Sequence, residues 1–240
     1  MKNLAIIGIG KWGRNLIREF SKNSNIIMCC STGNTENIKW LRKNFPNIQH
    51  TKNFQDVLNN QSVDVVVIAT PIKTHFSLSQ QAIKAKKHLF IEKTISENLD
   101  DAKKLVRLAK EAKIVLFVGH VFLYHPILEK IKKIIKNERI LFLKLSWMKL
   151  GSFQENILLD LVSHFISIMV ELLGMPKNVK IINTSKIVTP NDIISIEFEF
   201  NKYCKCLVDI NRVSNFKKLS IEILTSKNIF QWEENTLFKF

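Results

Sequence analysis

The sequence has little cysteine, proline and glycine, and it lacks long apolar runs. Its four cysteines, Cys29 and Cys30 and then Cys204-x-Cys206, have the spacing of neither a zinc site nor a secreted disulfide framework. They are expected to be reduced thiols on strands. No apolar run reaches the ~20 residues that span a bilayer. Because glycines and Lys11 interrupt the N-terminal stretch, it is not a signal peptide, and we expect a cytoplasmic protein without a membrane partner.

Arginine is also scarce, although the chain has a net charge of +15. The charge comes mainly from lysines that are scattered over predicted helix faces. Since arginine is the residue that reads base edges and binds phosphate through two hydrogen bonds, this pattern indicates solvated faces rather than specific nucleic-acid binding. With 240 residues, 46% of them hydrophobic, the chain can form one large domain or two modest ones.

A glycine motif follows the first apolar run, which covers residues 4–7. The motif is Gly8-Ile9-Gly10-Lys11-Trp12-Gly13. It predicts a buried strand that passes through a glycine turn into a helix. Gly8 would allow the tight turn, Gly10 would let the backbone approach a pyrophosphate, and Gly13 would let the helix pack on the strand. The phosphates would bind the N–H groups at the helix N-terminus, so the motif predicts a dinucleotide site.

The ribose end of that site is ambiguous. Ser31 and Thr32 follow a second predicted strand, at the place where an NAD enzyme usually carries an acidic residue for the 2′-hydroxyl. Without that acid, nothing repels a 2′-phosphate. No arginine is adjacent to bind one, since Lys39 and Arg42 lie one or two helical turns away. The sequence therefore leaves NAD and NADP open.

The order of elements predicts two domains. Over residues 1–119 strands and helices alternate, which is typical of a parallel, doubly wound α/β sheet with right-handed crossovers. Over residues 120–240 two helices precede a run of strands, which predicts a smaller α+β domain with an antiparallel sheet. A hairpin turn is expected at Asn201-Lys202.

Several polar side chains follow predicted strands of the first domain. Thr70-Pro71 and then His75 stand where a doubly wound sheet places its ligand-binding loops. Glu92-Lys93 ends the next strand, on the side of the sheet where the cofactor phosphates would lie. The Lys93 amine could take a proton from a substrate hydroxyl as hydride leaves. A polar turn without a function is the alternative for this pair.

Asp160 and His164 lie four residues apart on an otherwise apolar helix, so their side chains share one face. Titratable groups on a buried helix need partners. In one interpretation the two side chains are each other's polar partners in the core and have no catalytic function. In the other, His164 exchanges a proton while Asp160 binds substrate or sets the imidazole tautomer. Asp160 and His164 could supply two ligands to a metal ion, but the sequence shows no obvious third ligand, so no metal is expected. His120, Tyr124 and His125, between the two predicted domains, could line a substrate pocket.

Five signatures occur together in one known family. They are Gly8-x-Gly10-x-x-Gly13, Ala69-Thr70-Pro71 with His75, Glu92-Lys93, Val118-Gly119-His120 leading to His125-Pro126, and Asp160-x-x-x-His164. With them, the chain resembles the Gfo/Idh/MocA family of NAD(P)-dependent oxidoreductases from residue 3 to its end. It looks most similar to the bacterial branch that acts on nucleotide-linked amino sugars.

The resemblance implies an α/β Rossmann domain, an open-sheet second domain, and hydride transfer to or from a sugar, inositol or nucleotide sugar. Lys93 matches the family's catalytic lysine, and Asp160 and His164 match its second-domain pair. NAD or NADP would bind the glycine motif, Ser31 and Thr32, the Thr70-Pro71 loop with His75, and Glu92-Lys93. A homo-oligomer through the second-domain sheet is also expected.

Three departures from the family pattern bear on activity. Thr94 stands where relatives usually have a proline, often after a cis peptide bond. A cis peptide bond before a residue other than proline costs ~2.5–4 kcal/mol. The Lys93–Thr94 bond is therefore expected to be either trans or cis with some strain in the loop. Ser167 replaces an Asp near His164, and the chain stops at Phe240, so it is expected to be C-terminally shortened. These departures motivate an alternative function, a cofactor-binding scaffold or sensor with weak or no catalysis.

Overall fold

The computed structural model describes residues 1–201 and 204–240. The chain divides into two compact units, Met1–Gly119 (unit 1) and His120–Phe240 (unit 2). The four cysteines lie on strands, as predicted, and all of them are free and buried. Within the described residues, no helix has both the length and the hydropathy that a membrane crossing requires.

Unit 1 alternates strands and helices, as predicted. Its strands are β1 (Asn3–Ile7), β2 (Asn25–Cys30), β3 (Gln49–Thr51), β4 (Val65–Ile68), β5 (His88–Glu92) and β6 (Leu116–Gly119). Its helices are α1 (Lys11–Phe20), α2 (Thr35–Asn44), α3 (Phe54–Asn59), α4 (His75–Lys84) and α5 (Leu99–Glu111), and Ile72–Thr74 is a 3₁₀ turn. The sequence does not predict β3, since its length is too short to show a periodic pattern.

The strands of unit 1 are all parallel and follow the order β3-β2-β1-β4-β5-β6. This confirms the predicted doubly wound sheet. Ala5 and Ile6 point to opposite faces of β1 and are both fully buried, because helices cover the sheet on both sides. The strand order reverses between β1 and β4, and ligands of this fold bind at the carboxyl ends of the strands beside such a reversal.

Unit 2 starts with helices and continues with a second sheet. Its strands are β7 (Ile140–Leu150), β8 (Asn178–Ser185), β9 (Ile193–Asn201), β10 (Cys204–Asn211), β11 (Val213–Thr225), β12 (Ile229–Glu233) and β13 (Thr236–Lys239). Its helices are α6 (Pro126–Ile134) and α7 (Ser163–Leu173), with 3₁₀ turns at Val121–Tyr124 and Ile135–Asn137. A π-helical segment, Leu158–Val162, continues directly into α7. The sequence does not predict β13.

The second sheet follows the order β13-β12-β11-β7-β10-β9-β8. It is mixed rather than antiparallel throughout as predicted, because β10 runs parallel to β7 while the other pairs are antiparallel. The hairpin turn predicted at Asn201-Lys202 lies partly outside the described residues. The α/β Rossmann fold with a second, open-sheet domain is confirmed, whereas the homo-oligomer through this sheet stays a prediction.

A buried ion pair anchors the loop that precedes the π-helical segment. Arg212 Nε donates to Asp192 Oδ1 over 3.0 Å, and Arg212 Nη1 donates to the carbonyl oxygen of Glu155 over 2.9 Å. Burial acts to raise the pKa of Asp192, but hydrogen bonds from residues 187–189 outweigh it and lower that pKa. Arg212 thereby ties the loop before Asp160 to the sheet.

Candidate functional site

The glycine turn lies at the carboxyl end of β1, where the strand order reverses. Gly8 has a φ of +97°, which favours glycine, and a Cβ there would lie 2.5 Å from the Ala69 carbonyl oxygen. A Cβ on Gly13 would lie 2.0 Å from the Gly8 carbonyl oxygen. A Cβ on Gly10 would have no described atom within 4 Å. Gly8 and Gly13 therefore shape the turn, while the space over Gly10 is open.

Helix α1 begins next to this open space. Gly10 is its N-cap, and within the described part of the chain no side chain caps the helix and no acidic group lies in its first turn. The N–H groups of Lys11, Trp12 and Gly13 have no intrahelical acceptor by helix geometry. Ile9 is buried in the core below them. Because free N–H groups and the positive end of the helix dipole favour phosphate, the turn fits the pyrophosphate of a dinucleotide.

Helix α1 is tied to the end of β5 through Glu92. The Glu92 carboxylate lies beside the Trp12 indole and the backbone N–H of Lys93. Glu92 is 7% exposed, and its burial raises its pKa although both of these neighbours act in the opposite direction. Its Oε1 has no hydrogen-bond partner among the described residues. The first turn of α1 therefore lies beside the loop that carries Lys93.

Glu92→Gln is expected to raise the thermal stability at neutral pH. Because the folded-state pKa of Glu92 lies above its unfolded value, ionisation of this carboxyl destabilises the fold as the pH rises past the unfolded pKa. Glutamine keeps the size of the side chain but cannot ionise. Differential scanning fluorimetry should give the variant a higher Tm than the wild type at neutral pH and the same Tm below the unfolded pKa. The exposed Glu111→Gln on α5 is the control, and a pH-independent difference for Glu92→Gln would contradict this account.

His75 connects the loops that follow β4 and β5. Its ring is buried, with Nε2 2.8 Å from the Thr70 carbonyl oxygen and Nδ1 2.8 Å from the Thr94 carbonyl oxygen. The Lys93–Thr94 peptide bond is cis, one of the two outcomes expected for this loop. His75, which the sequence predicts as a cofactor residue, thus supports the exposed Pro71 loop and the half-buried Lys93 from the protein interior.

The carboxyl end of β2 carries polar and basic groups. Ser31 Oγ lies 3.0 Å from Nε2 of His50, a residue of β3. The Lys52 side chain crosses Gly33, since a Cβ there would lie 2.6 Å from Lys52 Cε. Thr32 is exposed beside them. The sequence does not point to His50 or Lys52; a third strand following α2 in the Rossmann order is the signal that could have found them.

In unit 2, Asp160 lies in the π-helical segment and His164 in the first turn of α7, and both are half-buried. The His164 ring contacts the rings of Phe122 and Trp147, at centroid distances of 5.2 and 5.6 Å. Ser167 Oγ donates to the His164 carbonyl oxygen over 2.6 Å. Single π turns inside helices recur at functional sites, and this one sits where the sequence predicts proton transfer.

His120 precedes the 3₁₀ turn before α6, and Tyr124, the last residue of that turn, is exposed. His125 is the N-cap of α6: its Nδ1 accepts a backbone N–H of the first turn over 3.2 Å, and its ring lies 4.7 Å from that of Trp232. Pro126 is the sequence signal for this cap, since proline is favoured at the first helical position. His125 stabilises a helix start, while the substrate-binding role of these three residues stays a prediction.

Comparisons with known proteins agree with this geometry. The GFO_IDH_MocA model, of an oxidoreductase family with an NAD-binding Rossmann fold, matches residues 2–120. The 2,7-anhydro-N-acetylneuraminate hydratase of Escherichia coli is 28% identical over 136 residues, which cover 57% of this chain and 36% of that protein. The UDP-N-acetylglucosamine 3-dehydrogenase of Acidithiobacillus ferrooxidans is 26% identical over 147 residues, which cover 58% of this chain and 45% of that protein. The matches span less than half of these relatives.

The solved structure of that UDP-N-acetylglucosamine 3-dehydrogenase has the same fold. It superposes with a TM-score of 0.91 at 20% identity and covers 100% of this chain and 80% of its own. The likeness in fold therefore extends through residues 120–240, beyond the segment that the family model matches.

Proposed function

Because this chain belongs to the Gfo/Idh/MocA oxidoreductase family, we propose that it transfers a hydride between a nicotinamide dinucleotide and an oxygen-bearing carbon of a sugar or nucleotide sugar. The names of the two curated relatives support this substrate class. One observation carries the proposal. The Trp12 indole, in the first turn of α1, lies beside the Glu92 carboxylate, so the glycine turn and Lys93 lie at the same carboxyl ends of the strands.

Each of the predicted site residues would have a separate role in this reaction. The glycine turn holds the pyrophosphate, and the bound nicotinamide supplies the hydride chemistry. Lys93 removes the proton from the substrate hydroxyl during oxidation and returns it during reduction. His164, held between aromatic rings, is the second proton carrier, and Asp160 orients the substrate or sets the imidazole tautomer.

Fluorescence titration with NADH and NADPH, followed by a screen of sugars, inositols and UDP-sugars, tests this proposal. We expect at least one cofactor to bind and at least one substrate to be converted. Since one relative is named a hydratase, products are identified by mass spectrometry as well as by nicotinamide absorbance, so that a conversion without net redox change is also detected. Failure of both cofactors to bind would overturn the proposal. Binding without any conversion would favour the scaffold or sensor.

A further inference from the structure

We propose that unit 1 selects the 2′-phosphorylated dinucleotide, NADP(H), through Lys52 and His50. The inference rests on the proposed function, because it concerns the adenosine half of the same cofactor. In this fold the residues after β2 approach the ribose that carries the 2′-hydroxyl. An acidic side chain there binds that hydroxyl and repels a 2′-phosphate, whereas basic groups favour the phosphate.

The loop after β2 has no negative charge, since residues 31–34 are Ser-Thr-Gly-Asn. Two acidic residues lie on the neighbouring helices α2 and α3, and each interacts with nearby side chains. Asp56 accepts hydrogen bonds from the side chains of Thr51 and Asn53. Glu36 pairs with the lysine one turn later on α2. A 2′-phosphate would therefore meet no carboxylate that belongs to this loop.

Basic groups from β3, from the residue that follows it and from α2 lie near the same loop. A Cβ on Gly33 would lie 3.0 Å from the Nζ of Lys52, so the amine lies over the loop. His50 is hydrogen-bonded to Ser31. Burial of His50 lowers its pKa, and the nearby positive charges of Arg42 and Lys52 lower it further. The Ser31 hydroxyl, the His50 ring and the Lys52 amine thus form one cluster at positive potential.

This cluster suits a phosphate better than a ribose hydroxyl. A phosphate offers several acceptor oxygens at once, and an ammonium group binds them through charge-assisted hydrogen bonds. Lys52 is exposed, and it forms no ion pair with the residues that the structure describes, so its charge is available to a ligand. Gly33, without a side chain, leaves the path of the lysine clear.

Fluorescence titration of the intact chain with NADPH and NADH tests the inference. We expect NADPH to bind about tenfold tighter or more, as one charge-assisted hydrogen bond would give, and the ratio to fall as salt screens the contact. Lys52→Ala and His50→Gln should weaken NADPH binding and leave NADH binding unchanged. Ser31→Asp, which keeps both basic side chains, should reverse the preference. Lys103→Ala on α5 removes the same charge elsewhere and should change neither affinity.

The two proposals fail differently in this experiment. Equal affinity for both cofactors, or an equal loss of both in Lys52→Ala, would overturn the choice of NADP(H) and leave the proposed function standing. Binding of neither cofactor to the wild type would overturn the proposed function itself. Circular dichroism of each variant shows that a changed affinity does not come from unfolding.

Discussion

Lys93→Met is expected to lower kcat by about 10²–10⁴-fold, the usual contribution of a positioned acid–base group, and to leave cofactor affinity nearly intact. Methionine keeps the length and the apolar stem of lysine but cannot carry a proton. The pyrophosphate would still bind at Gly10 and the first turn of α1, which the substitution does not alter. Steady-state turnover gives kcat, and fluorescence titration gives the cofactor Kd.

Two further variants sharpen this result. Lys84→Met, at the exposed end of α4, removes the same charge away from the strand ends and should turn over like the wild type. His164→Ala should also lower kcat, with cofactor affinity retained. Unchanged turnover in both Lys93→Met and His164→Ala would rule out the proposed mechanism.

Gly13→Ala is expected to destabilise unit 1 by about 3 kcal/mol or more, the upper range for an overpacked site, and to abolish cofactor binding. The added Cβ would lie 2.0 Å from the Gly8 carbonyl oxygen, a backbone atom that moves only if α1 leaves the end of β1. Chemical denaturation measures the loss of free energy of unfolding.

Gly10→Ala is the matched control for this prediction. Its Cβ would have no described atom within 4 Å, so the free energy of unfolding should stay within about 1 kcal/mol of the wild type. The same Cβ enters the space that the proposal gives to the pyrophosphate, and cofactor affinity should therefore fall in a folded protein. Wild-type stability of Gly13→Ala would contradict the packing argument, and wild-type affinity of Gly10→Ala would contradict the phosphate site.

Unit 1 is predictable from its sequence because its signals are local. The glycine motif at 8–13 and the β-branched run at 65–68 each occupy a few consecutive residues, and each fixes an element by itself. Strand β3 is too short to give such a signal. The cluster that includes His50 and Lys52 therefore becomes visible only when the strand is placed beside β2.

Contacts between distant residues limit what the sequence reveals about the rest. The direction of β10 is set by its pairing with β7, where Lys205 lies opposite Phe142, and neither strand encodes that direction locally. Residue type and position suffice to nominate His75 and His125. Their contacts are visible only in the folded structure, where His75 connects two loops and His125 caps a helix.

The central position of β7 also affects the order in which the chain can fold during its synthesis. Its neighbours in the sheet are β10 and β11, which the ribosome makes much later. Unit 1 can complete its sheet once β6 has emerged, because domains generally fold as units from the N-terminus. Until then both edges of β7 are unpaired, and its apolar Leu143 and Leu145 lack the part of their core cluster that later residues supply. Nascent chains in that interval are the ones that chaperones would have to protect.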